Sequence, residues 1–126
     1  FHGYTYSGHP LACAAGLATL DVYEEEDLFG RASGLAPYFE DVAHALKGAP
    51  HVIDIRNLGL AAAVELDPRA GQPTARALDV FLQCYDKGVF VRTTADTVTI
   101  SPPLIAEPKD IDCIFETLGD VLRHVD

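Results

Sequence analysis

Apolar residues recur at helical spacing along several stretches of the chain and cluster in short runs elsewhere. Leu35, Tyr38, Phe39, Val42 and Leu46 fall at i, i+3, i+4, i+7 and i+11, with Glu40, Asp41, His44 and Lys47 between them. This spacing predicts an amphipathic helix that Gly48 ends. Pro37 within it leaves two readings, a regular helix from near Gly34 or a kink. Ile111, Ile114, Phe115, Leu118 and Leu122 form the clearest stripe, opened by Pro108. Leu78, Phe81, Leu82 and Tyr85 predict another helical stripe, stopped at Gly88. The first helix is different. Ser7-Gly8-His9-Pro10 reads as a start near His9, and Leu11 to Ala18 then carries eight residues without a polar side chain. A helix turn that is apolar all round is buried on more than one side. A second body should therefore pack on it, and in a lone domain this surface would be partly exposed.

The runs Val52–Arg56 and Leu60–Leu66 predict two strands around Asn57-Leu58-Gly59. Alanine-rich Leu60–Leu66 is assigned to strand because it is short, follows a β-branched run and ends at Asp67-Pro68. Val89–Arg92 and Thr97–Ile100 predict a hairpin around Thr93–Asp96, and Pro102-Pro103 ends its second arm. The order helix, helix, strand, strand, helix, strand, strand, helix implies an α+β fold. Its sheet is short and mainly antiparallel, with three to four strands covered by helices.

At 126 residues and 48% apolar content the chain is one domain, too short for two. Its net charge of −10 opposes extended contact with nucleic acid or an anionic membrane. No apolar run reaches the roughly 20 residues of a membrane span. Cys13, Cys84 and Cys113 lie far apart, which fits a reducing compartment, and a cytoplasmic location is expected. His2, His9, His44, His51 and His124 show no ligand spacing, and Glu24–Asp27 reads as a solvated helix end, so no metal is expected. The chain has no methionine and opens at Phe1, which leads us to expect a piece of a longer protein.

Two places carry candidate chemistry. Gly3-Tyr4-Thr5-Tyr6-Ser7-Gly8 sets hydroxyls on a flexible backbone just before a helix N-terminus, a geometry suited to an anion such as phosphate. Ordinary helix capping is the simpler reading on physics alone. Arg92 ends a strand among apolar and hydroxyl residues, where its planar fork would grip a carboxylate, or where it is simply a surface arginine on an edge strand.

Four runs then stand out together. They are His2–Ala15 (HGYTYSGHPLACAA), Arg56-Asn57-Leu58-Gly59-Leu60 with Glu65-Leu66, Gly88-Val89-Phe90-Val91-Arg92, and Ser101-Pro102-Pro103-Leu104-Ile105. In this order they resemble the C-terminal part of class III aminotransferases, pyridoxal-phosphate (PLP) enzymes of fold type I. The HGYTYSGHP wording is most similar to the omega-amino-acid:pyruvate branch. The resemblance covers nearly the whole chain and implies that residues 1–126 are the small C-terminal domain, with the large PLP-binding domain upstream.

It also implies roles. Thr5, with Tyr4 before it, would reach the cofactor phosphate of the neighbouring subunit in a homodimer, and Arg92 would bind the substrate carboxylate and move aside for donors that lack one. The partners implied are the missing large domain, the second subunit, and small amine and keto-acid substrates. Asn57 departs from a common glycine, Ala61-Ala62-Ala63 from bulkier residues, and Thr99 from an arginine found in other branches. The resemblance places the lysine that forms a Schiff base with PLP upstream of Phe1, so no catalytic residue is assigned here and the isolated chain is expected to be inactive. Lys47, Lys87 and Lys109 sit at helix ends, positions that favour hydration. A free-standing α+β interaction or regulatory module, and an aminomutase or decarboxylase on the same scaffold, are the alternatives.

Overall fold

A computed structural model describes residues 3–126; Phe1 and His2, with which the first motif begins, lie outside the described residues. The elements are α1 (Pro10–Glu25), α2 (Leu28–His44), β1 (Val52–Leu58), β2 (Ala61–Leu66), α3 (Ala75–Asp86), β3 (Arg92–Thr94), β4 (Thr97–Ile100) and α4 (Pro108–His124). The strands form one sheet in the order β1-β2-β4-β3, with every neighbouring pair antiparallel. The α+β architecture and the element order are those expected from the sequence.

One face of the sheet is covered. Ala62, Val64 and Leu66 of β2 and Val98 and Ile100 of β4 alternate inward to meet Phe39, Val80, Ile111, Leu118 and Leu122 from α2, α3 and α4. Phe39 and Phe115 meet edge to face, with centroids 5.3 Å apart, at the centre of this layer. The predicted stripe of α4 packs as expected, and that of α2 packs except for Tyr38, which is exposed and donates its hydroxyl to Asp112 at 2.5 Å, while Leu46 is buried just past the end of the helix. The helix of α2 starts well before Gly34 and runs through Pro37, so the reading of a start near Gly34 is set aside. Pro37 is exposed, so the carbonyl of Ser33 that loses its usual N–H partner lies on the solvent side.

Three local expectations are corrected. In α3 the buried apolar residues are Ala77, Val80 and Cys84, with Phe81 partly buried, whereas Leu78, Leu82 and Tyr85 are exposed. The helix carries apolar residues on two faces, and the smaller side chains let it lie close to the sheet. The hairpin is displaced toward its turn: β3 begins where Val89–Arg92 was expected to end, and Thr94 pairs with Thr97 around a two-residue turn, Ala95-Asp96. Val89 and Val91 are buried without joining the ladder. Between β1 and β2, Leu58 pairs with Ala61 and the turn is Gly59-Leu60, with Gly59 at a φ of 55°.

The apolar start of α1 is unmet within the chain. No α1 residue is buried, and Leu11, Leu17 and Leu20 are all more than half exposed. Tyr23 packs edge to face on Phe29 of α2, with centroids 5.1 Å apart.

Candidate functional site

The segment before α1 is built as a pair of turns. The Ser7 N–H donates to the Tyr4 carbonyl at 3.3 Å and the His9 N–H to the Tyr6 carbonyl at 3.2 Å. Gly8 sits at a φ of 74°, a backbone region other residues resist, and Pro10 opens the helix. His9 is the N-cap residue, and no side chain caps the helix. The hydroxyls of Thr5 and Ser7 therefore do not serve as caps, although the sequence alone favoured that role. Both side chains are exposed and make no hydrogen bond among the described residues. The donor set, two free hydroxyls beside a helix N-terminus, suits the oxygens of a phosphate ester.

The second place is the uncovered face of the sheet. Strand alternation puts Asp54, Arg56 and Leu58 of β1, Ala61, Ala63 and Glu65 of β2, Thr97 and Thr99 of β4, and Arg92 and Thr94 of β3 on it. The register aligns Arg56, Ala63, Thr99 and Arg92 in one row across all four strands. An open depression of about 270 Å³ lies over the Arg56-to-Thr99 part of this row, lined by Arg56, Leu58, Ala61, Ala63 and Thr99 among others, and Arg92 stands beyond its rim. The small side chains of Ala61 and Ala63 keep its floor low, and Thr99 presents a hydroxyl beside Arg92.

The two arginines of the row differ sharply. Arg56 donates to Asp54 at 2.5 Å and to Glu65 at 2.7 Å, and these carboxylates raise its pKa further above the ordinary guanidinium value. Arg92 is exposed and has no hydrogen bond or ion pair with any described residue. Its guanidinium is the one in the row left with all its donors available. Sequence reasoning found Arg92 but not the row, nor the neutralised state of Arg56. Asn57, the departure from glycine, accepts a hydrogen bond from the His44 ring at 2.9 Å and ties β1 to the end of α2, a packing role.

The lysines stand apart from both places. Lys87 pairs with Asp120 at 3.1 Å and Lys109 with Glu107 at 2.7 Å, while Lys47 is exposed. The hydrogen bond and charge of Glu107 raise the pKa of Lys109. An amine that attacks a carbonyl must be unprotonated, so this shift runs the wrong way for cofactor attachment. Among the described residues no group of three or more His, Cys, Asp or Glu side chains is placed to hold a metal ion. No helix among them is long and apolar enough to cross a membrane.

A helix start with exposed hydroxyls, an arginine unpaired among the described residues on an open antiparallel sheet, and an apolar helix left uncovered thus sit on one α+β body. Residues 1–122 match the family Aminotransferase class-III, and the chain belongs to that family, whose members depend on PLP. It is 59% identical over 126 residues to an omega-aminotransferase of Caulobacter vibrioides, covering 100% of this chain and 29% of that protein. It is 44% identical over 124 residues to a beta-alanine–pyruvate aminotransferase of Pseudomonas aeruginosa, covering 98% of this chain and 28% of that protein. Among solved structures, the omega transaminase from Pseudomonas jessenii in complex with PMP superposes with a TM-score of 0.86 at 30% identity, over 98% of this chain and 28% of that one. The chain thus spans less than a third of the length of these relatives. Family membership over this span removes the ground for reading the chain as a free-standing interaction module.

Proposed function

We propose that this chain is the small C-terminal domain of a PLP-dependent transaminase that passes an amino group from an omega-amino acid or amine to a keto acid such as pyruvate. The observation that carries the reading is Arg92. It is an exposed guanidinium with no partner among the described residues, on the same row as an arginine that two carboxylates already satisfy. Arg92 takes the substrate carboxylate through two parallel N–H···O bonds and so orients the amino end toward the reactive centre. The Thr5 hydroxyl, with Tyr4 beside it, donates to the phosphate of a cofactor bound in the second subunit of a homodimer. The chain's own donors fit that phosphate end of PLP and not its aldehyde end, for which the lysines described above are unsuited. PLP, when bound, supplies the electron sink that lets a proton leave the amino-bearing carbon. The apolar all-round start of α1 packs against the large domain, which also carries the attachment lysine. The assembly works in the cytoplasm.

The test uses the whole protein, with the sequence preceding Phe1, loaded with PLP and supplied with beta-alanine and pyruvate. Chromatography of the products is expected to show alanine, and the isolated 126-residue chain is expected to yield none. Absence of any amino product across a panel of omega-amino acids and keto acids would overturn the reading, as would turnover by the chain alone.

A further inference from the structure

We propose that Asp96 is the positioning residue for Arg92, holding the short strand that carries the guanidinium against the rest of the sheet; this rests on the reading of Arg92 as the carboxylate grip. The strand needs such a hold. β3 is three residues long, lies at the sheet edge and has one neighbour, β4, to which it pairs at Arg92↔Thr99, Thr93↔Val98 and Thr94↔Thr97. So short an edge is weakly held by its own ladder. Its turn also places Ala95 at a φ of 51°, a left-handed region that residues with a side chain resist.

Asp96 holds that turn from two directions. Its main-chain carbonyl accepts the Leu66 N–H at 2.8 Å, which joins the turn to the end of β2. Its carboxylate Oδ1 accepts the Thr74 N–H at 2.8 Å, which joins the turn to the residue preceding α3. Thr74 itself has a φ of 70°, so the backbone there is bent to present its N–H to Asp96. The carboxylate also faces the N-terminus of α3, where a negative charge is favoured.

The consequence for Arg92 follows from the register. Val91 is buried and Thr93 is half-buried, so Arg92 and Thr94 are forced to the open face. The height of Arg92 above Thr99 is then set by how firmly the turn is fixed. Releasing the carboxylate arm frees the hairpin end, and a displacement of about 1 Å at a positioning group costs on the order of a hundredfold at most.

The experiment uses the whole PLP-loaded protein and compares Asp96→Ala, Asp96→Asn and Arg92→Ala. Asp96→Ala is expected to lower kcat/KM for a carboxylate-bearing donor roughly tenfold, mainly through KM, and to change a simple amine donor less than about twofold. Asp96→Asn keeps an oxygen able to accept the Thr74 N–H and is expected to restore most of the loss. Amide hydrogen exchange across residues 92–97 is expected to rise in the alanine variant and stay near the parent level in the asparagine variant. Where the alanine variant does not fold, Asp96→Glu keeps the charge, displaces the acceptor and is expected to show the same selective loss in smaller measure. Equal losses on both donors, equal behaviour of the alanine and asparagine variants, or unchanged exchange would overturn the positioning role while a selective Arg92→Ala loss left the proposed function standing. An Arg92→Ala variant that loses both donors alike removes the grip itself, and the positioning role falls with it.

Discussion

Replacing Arg92 by alanine in the intact protein separates binding chemistry from folding unusually well. The side chain is exposed and has no hydrogen bond or ion pair with a described residue, so its removal orphans no buried acceptor. Folding stability should change by no more than about 0.5 kcal/mol. For a carboxylate-bearing donor, two charge-assisted bonds at about 1.5 kcal/mol each sum to about 3 kcal/mol, roughly a hundredfold in kcat/KM. Arg56 cannot take over. Its guanidinium is held by Asp54 and Glu65, and three strand spacings put it roughly 14 Å away along the row. Pyruvate itself carries a carboxylate, so the donor half-reaction is measured alone, from the change in cofactor absorbance on adding beta-alanine or a simple alkylamine. The alkylamine rate is expected to fall less than about threefold, since it never made the lost bonds. Arg92→Lys keeps the charge without the planar fork and is expected to recover only part of the loss. A loss of equal size on both donors, or a hundredfold loss accompanied by unfolding, refutes the reasoning.

Thr5→Ala removes a free hydroxyl at the start of α1 and is expected to weaken PLP retention roughly tenfold, by about 1–1.5 kcal/mol; an unchanged PLP Kd after dialysis counts against the phosphate role. Arg76 is 7% exposed and donates to the carbonyls of Asp67 and Asp126, so Arg76→Met is expected to destabilise the fold by about 2–3 kcal/mol in urea titration. A shift below about 0.5 kcal/mol would show that the neighbouring Arg69, which also reaches the Asp126 carbonyl at 2.9 Å, is sufficient. Cys84 is fully buried, and burial pushes its thiol from 9.0 up to about 11. Well below pH 9 both states keep the proton; between pH 9 and 11 the unfolded chain is mostly thiolate while the native thiol mostly keeps its proton. Stability therefore falls across that window, by about 2 kcal/mol from this group. Cys84→Ala should show a shallower decline than the parent in urea midpoints measured at pH 8 and pH 10.5, and parallel declines would exclude the effect.

The stripes of α2 and α4 were legible in the sequence because each has one apolar face, and a single face leaves one way to pack. The stripe of α3 was misread for the converse reason: Leu78, Leu82 and Tyr85 are larger than Ala77 and Cys84, yet close approach to the sheet selects the smaller set. Periodicity finds faces and does not choose between two of them. The hairpin ends were displaced because Asp96 is bonded to Leu66 and Thr74, contacts that lie 30 and 22 positions away in the chain.

The amino-acid order by itself determined the α+β class, the succession of elements, the uncovered apolar helix at the start, and Tyr4, Thr5 and Arg92 as residues of interest. Those properties are local or periodic, and neighbouring side chains suffice to encode them. Only the folded chain decided that Arg56 is paired with two carboxylates while Arg92 has no partner among the described residues, and that the hydroxyls before α1 do not cap it. The first depends on which strands lie side by side and in what register, a long-range choice made by burial of the common core, and the second on the turns that Tyr4 to His9 adopt before the helix.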